Sequence, residues 1–191
     1  MPLDLQRARP LLQSGNLTKL FVEELGWEAE YRPSGLEGSR WRKRLVTKDD
    51  VKQIVTEFKH PHKERANESE RNVRPYLASP DQWASSLIVD NAGIPVVYIV
   101  QSRDERDHVE VALVRHSDHP LAPTLVRHFF HALTIEPGET ANRLISITDP
   151  EMSSAAKNAL AEIGFFADDN VSWKFSVVGH LTLQELAAST I

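Results

Sequence analysis

Residues 83–178 alternate between short apolar runs and amphipathic stretches in an order that few folds use: strand, strand, strand, helix, strand, helix, strand. Leu87–Val89 is followed by Gly93-Ile94-Pro95 and then Val96–Val100, and a polar hairpin from Ser102 to Asp107 leads into Val109–Val114. Runs of this length, bounded by turn residues and rich in β-branched side chains, read as strands. Apolar spacings of three and four predict a helix over Thr124–Leu133 and a second over Glu151–Ile163. Leu144–Thr148 lies between them as a strand, and Gly164-Phe165 precedes a last strand at Trp173–Val177.

The N-terminal part is more polar. Leu17, Leu20, Phe21 and Leu25 lie on one face of a helix that Asn16 can cap and Gly26 can end. Trp27 is expected to pack after that turn. Trp41 to Val46 reads as a strand, and Thr47-Lys48-Asp49-Asp50 as a cap in which Thr47 accepts from the Asp50 amide. Val51, Ile54, Val55 and Phe58 form the buried face of the helix that follows, which ends before His60-Pro61-His62. Residues 63–76 read as loop or frayed helix, and Leu181–Leu186 as a short helix capped by Thr182. A soft boundary near residue 78 divides a mainly helical, basic segment (1–78) from a sheet-forming part (79–191).

Charge sharpens that division. Residues 40–74 carry eleven Lys/Arg against six acids, so they hold +5 while the rest of the chain holds −10. A basic segment on an acidic body reads either as a solvated helix surface or as a footprint for nucleic acid or a partner protein, centred on Arg40, Arg42, Lys43 and Arg44. The chain has no Cys, which removes disulfides and thiolate chemistry. No apolar run approaches the roughly 18 residues that span a bilayer. MPLDLQRARP has no signal-peptide core, so the expectation is a cytoplasmic protein.

Val109-Glu110-Val111-Ala112-Leu113-Val114 before a turn and helix, and Ala159-Leu160-Ala161-Glu162-Ile163-Gly164-Phe165 before a strand with Trp173-Lys174-Phe175, resemble the second half of a GNAT-type N-acetyltransferase. The resemblance implies an α/β (α+β) fold with a mixed, mostly antiparallel sheet and flanking helices. It also implies acetyl-CoA held along a splay between Val109–Val114 and Leu144–Thr148, and acyl transfer to an amine. Family members cradle the pyrophosphate on backbone N–H groups at a helix N-terminus. The positions that correspond are Leu113, Val114, Arg115, His116, Ser117, Ala122 and Thr124, with Glu110 as general base.

Two departures stand out. The loop Arg115 to Pro123 has no Gly and two prolines, which lack a donor, plus an Asp that opposes phosphate. Leu160 stands where many relatives place a Tyr acid. His116 and His119 beside Asp118 read as loop residues or as a protonatable pair, and a metal there would need a third ligand. No metal site is assigned. The run Leu20 to Trp27 resembles an opening segment of bacterial restriction–modification and phage-defence proteins. Val114-Arg115-His116-Ser117, Thr148-Asp149-Pro150 and Trp173-Lys174 resemble degenerate acetyltransferase-like domains fused to PIN-type toxins. The alternative function is therefore a non-catalytic accessory module of a defence or toxin system.

Overall fold

The computed structural model describes residues 8–9, 12–13, 17–33, 35–36, 38–58, 66–103, 108–135, 144–167 and 172–176. Asn16, most of the Ser102–Asp107 hairpin and the Leu181–Leu186 helix lie outside the described residues. Eight strands form one sheet: β1 (Ala29–Tyr31), β2 (Trp41–Leu45), β3 (Trp83–Val89), β4 (Pro95–Ser102), β5 (His108–His116), β6 (Leu144–Thr148), β7 (Phe166–Ala167) and β8 (Ser172–Ser176). Their spatial order is β1-β2-β3-β4-β5-β6-β8-β7. Every neighbouring pair is antiparallel except β5 with β6. The outermost strands, β1 and β7, have three and two residues.

Helix α1 begins at Leu17–Lys19 and widens into a π-helical turn over Leu20–Glu24. Gly26 ends it at φ 68°, in the left-handed region where Gly carries no Cβ penalty. Trp27 stacks on Phe21 at 5.7 Å between centroids, with more than half of its surface in solvent. Helices α2 (Asp50–Glu57) and α3 (Ala66–Ala78) join β2 to β3. Helix α4 (Ala122–Ile135) joins β5 to β6, and α5 (Ser154–Ala161) follows β6.

Two apolar layers result. On one face, Leu125, Val126, Phe129, Phe130 and Leu133 of α4 and Ala156 and Leu160 of α5 pack on Val97, Ile99, Val109, Val111, Ile145 and Ile147. On the other, Val51 and Ile54 of α2, Phe58 just beyond it and Val73 of α3 pack on Leu87, Val89, Tyr98, Val100 and Leu113. Strands β3 and β4 are covered on both sides. This is why Val96–Val100 is continuously apolar rather than alternating.

The basic segment is joined to the sheet. Strand β2 pairs with β3 from Arg42↔Val89 to Leu45↔Ser86, so the division expected near residue 78 separates strands of one sheet. Of the two readings for residues 63–76, loop or frayed helix, the described part is helical over Ala66–Ala78, and the helix continues through Pro75. The cap before α2 runs opposite to expectation. The Asp50 carboxylate accepts from the Thr47 N–H at 2.7 Å and from its hydroxyl at 2.8 Å. A carboxylate gains more from those donors, in the first turn of a helix, than a hydroxyl gains from one amide.

Candidate functional site: the gap between the parallel strands

Strands β5 and β6 are paired from His108↔Leu144 to Val111↔Ile147. Beyond Val111 the two strands part, so the splay is shorter than the sequence implies. The cause is local. Val100 opposes Leu113 and Gln101 opposes Val111, leaving Ala112 as an extra residue in β5. A bulge of this kind bends its strand and re-aims its backbone groups. The N–H of Val114 then faces the gap.

That donor is taken from within the chain. Asp149, which follows β6, accepts from the Val114 N–H through Oδ2 at 2.9 Å. The same oxygen is bonded by the Arg115 guanidinium, and Oδ1 accepts from the Glu151 N–H at 3.1 Å. Arg115 reaches on to Glu151 Oε2 at 3.1 Å. One residue further, His116 Nε2 lies 2.5 Å from Ser153 Oγ, and its Nδ1 lies 2.8 Å from the Ser117 carbonyl. Ser153 Oγ also caps α5 by accepting from the Ala156 N–H at 3.1 Å. These bonds all close when Nδ1 donates to the carbonyl and the serine donates to Nε2, a tautomer assigned from the network. Side chains thus replace the missing backbone ladder. Asp149 and Arg115 are both buried, at 2% and 8% exposure, so their attraction acts in a low dielectric.

The loop after β5 is also internally satisfied. Ser117 N–H donates to the Val96 carbonyl (2.9 Å), His119 N–H to Ser117 Oγ (3.3 Å), Leu121 N–H to His119 Nδ1 (3.1 Å) and Ala122 N–H to the His119 carbonyl (2.9 Å). Positions 120 and 123 are prolines, and the remaining residue of this run is Asp118. A diphosphate needs several convergent amides. Here four of them are committed to the fold, those of Ser117, His119, Leu121 and Ala122, and the His119 ring is packed edge-on against Trp41 at 5.4 Å. Among the described residues, these four amides are thus occupied within the chain.

The expected cofactor residues separate accordingly. Val114, Arg115 and His116 meet at the gap. Leu113 turns to the opposite layer, under α3. Ala122 is fully buried. Thr124 lines a cleft of about 320 Å³ between α4 and α5, beside an Arg127–Glu162 ion pair of 2.8 Å.

Glu110 is half-buried on β5, two residues before the bulge, and its N–H bonds the Ser102 hydroxyl at 3.0 Å. The Tyr76 phenol of α3 senses this region. Burial raises its pKa, with the carboxylates of Asp149 and Glu110 adding to the rise. Tyr98, deeper in the same layer, is pushed up by burial, which outweighs a lowering by the Ser85 hydroxyl. Leu160 is fully buried in the α4–α5 layer, so no acid occupies that place.

The four basic residues of β2 and its approach are divided as well. Arg40 is exposed. Arg42 pairs with Glu28 at 2.8 Å, and Arg44 grips Asp50 through two bonds of 2.6 and 2.7 Å. Lys43 is buried, with Glu23 at 3.5 Å. Asp149 is the site residue that sequence reasoning missed. Its signal was an Asp-Pro step at a strand end, which carries no information about a partner strand 35 residues upstream.

No protein-family model matches the sequence, and no curated protein matches it. Solved structures do. RimJ of Mycobacterium smegmatis in complex with CoA-disulfide is 12% identical, with a TM-score of 0.52 over 86% of this chain and 96% of that one. The PaiA N-acetyltransferase of Thermoplasma acidophilum, in complex with coenzyme A, is 8% identical, with a TM-score of 0.51 over 71% and 98%. A protein described as a GNAT-family acetyltransferase from Desulfovibrio desulfuricans is 12% identical, with a TM-score of 0.51 over 74% and 100%. Element order, the parallel β5–β6 pair and these likenesses together show that the chain has the GNAT acetyltransferase fold.

Proposed function

We propose that this chain is an acetyltransferase-like binding module that does not carry out acyl-CoA-dependent transfer to an amine. The observation that carries the reading is the Val114 N–H, whose hydrogen bond goes to the chain's own Asp149. Support comes from the loop of residues 117–123, where the amides of Ser117, His119, Leu121 and Ala122 are spent internally and positions 120 and 123 are prolines, and from Leu160 in place of an acid. Fold alone does not assign chemistry, and here the site argues against the chemistry most often found on it.

Acetyl-CoA titration followed by thermal shift and calorimetry tests this. A ligand at a hundred times its dissociation constant stabilises by about 2.7 kcal/mol, which for a domain of this size is roughly 5–10 °C in Tm. The expected result is no shift at millimolar acetyl-CoA and no acetyl release. A saturable rise overturns the proposal. The competing reading, transfer to an amine with Glu110 as base, rests on the half-buried Glu110 beside the bulge. It gains support if turnover is detected and falls in Glu110→Gln.

A further inference from the structure

A second cleft, of about 290 Å³, lies on the α4 side of the sheet near β1, away from the β5–β6 gap. Lys43, Glu23, Tyr31, Phe129 and Leu133 line it, with Arg32 among its outer residues. We propose that it binds a small ammonium carboxylate, an α-amino acid with an apolar side chain. This goes beyond the reading of the β5–β6 gap and shares none of its residues.

The case begins with Lys43. Strand β2 turns Trp41 and Lys43 inward, so an ammonium is buried where an apolar residue is usual. Among the described residues its one hydrogen-bond acceptor is Glu23 Oε1 at 3.5 Å, and it sits 4.7 Å from the centre of the Phe129 ring. An ammonium has three donors, and a buried donor without a partner is costly. Glu23 is equally underused. Its Oε1 receives two long contacts, from Lys43 and from Gln101 Nε2 at 3.4 Å, and its Oε2 none among the described residues. The Gln101 carbonyl oxygen is buried without a donor.

Two opposite charges with spare bonding capacity are thus held at the limit of contact, next to space and an apolar wall. A carboxylate completes the Lys43 donor set, and an ammonium completes Glu23. Phe129 and Leu133 then receive the side chain. A cleft of about 290 Å³ has room for a small ligand of amino-acid size. The π-helical turn that carries Glu23 adds to the case. Leu25 N–H bonds the Leu20 carbonyl at 3.1 Å, five residues back, and such turns recur at functional sites.

The test is calorimetry and thermal shift of the full chain with L-leucine and L-phenylalanine, up to about 10 mM. The expected result is saturable binding that is lost with the amino-acid amide and with the N-acetyl derivative. Lys43→Met and Glu23→Gln each weaken it by about tenfold or more. In wild-type protein, binding perturbs the NMR signals of Phe129 and Leu133, a readout that stands if either variant fails to fold. Absence of binding by every amino acid overturns the proposal, as does perturbation confined to other residues. Equal affinity for the amide also overturns it. Acetyl-CoA binding at the β5–β6 gap would leave each of these outcomes unchanged.

Discussion

Replacing Asp149 by Asn probes the closure of the gap most directly. The substitution keeps the shape and leaves one oxygen to accept from the Val114 N–H, but it removes the charge that faces Arg115. Arg115 is 8% exposed and, among the described residues, retains only Glu151, at 3.1 Å, as a charged partner. Removing one member of a buried ion pair typically costs 3–5 kcal/mol, mostly because the other charge is left behind. Glu151 offsets part of this, so about 3 kcal/mol is expected, or roughly 6–12 °C in Tm. Chemical denaturation with an unchanged m-value is the assay. The double variant Arg115→Met with Asp149→Asn should recover most of the loss, since it removes both charges. A single variant within about 0.5 kcal/mol of wild type, the usual range for inert surface positions, would refute the claim that this carboxylate locks the gap. So would a double variant no better than the single one.

Leu160→Tyr should not create an acid for transfer; it should destabilise by about 1–3 kcal/mol, because the position is packed on all sides, and circular dichroism melting reads this. The pKa of Asp50 is lowered. Burial opposes the lowering, but the Arg44 guanidinium and the Thr47 N–H and hydroxyl outweigh it. Its contribution to stability is therefore complete above the ordinary carboxylate range near pH 4 and is lost as pH falls through the lowered value. Asp50→Asn should flatten the acid limb of a stability–pH curve and reduce stability at pH 7. Gly164→Ala should cost about 1–2 kcal/mol, since φ is 94° there and L-residues rarely adopt it, as measured by urea denaturation.

The order of strands and helices from β3 onward, the two-residue β7 excepted, was legible because Val96–Val100 is an unbroken apolar run, Val109, Val111 and Leu113 alternate with other residues, and α4 has a clean apolar face. Helix α3 was legible only as one of two readings, because Val73, Tyr76 and Leu77 are its few inward residues, and Pro75 sits among them as a stop signal. The π-helical turn was hidden for a related reason: a period of 3.6 fits Leu17, Leu20, Phe21 and Leu25 and passes over Glu23, which is buried. Lys43 shows the limit of charge counting. It belongs to a run of basic residues in the sequence, yet the strand's alternation sends it inward while Arg42 and Arg44 face the rim. Arg115 was assigned to an anion cradle from its place in the loop. Its partner lies across the gap, and pairings at that separation have no local signature.

The margins of the sheet carry a consequence for self-association. A long, bare strand at a margin is a template on which another chain can add. Here one margin is three residues, Ala29–Tyr31, with Glu28, Glu30 and Arg32 in and around it, and the other is two residues, Phe166–Ala167. An incoming chain would find only one or two bonds at either place, beside charge at the first. Among the described residues, growth by strand addition, the common route from β-rich proteins to fibres, is therefore opposed at both margins of the sheet by brevity.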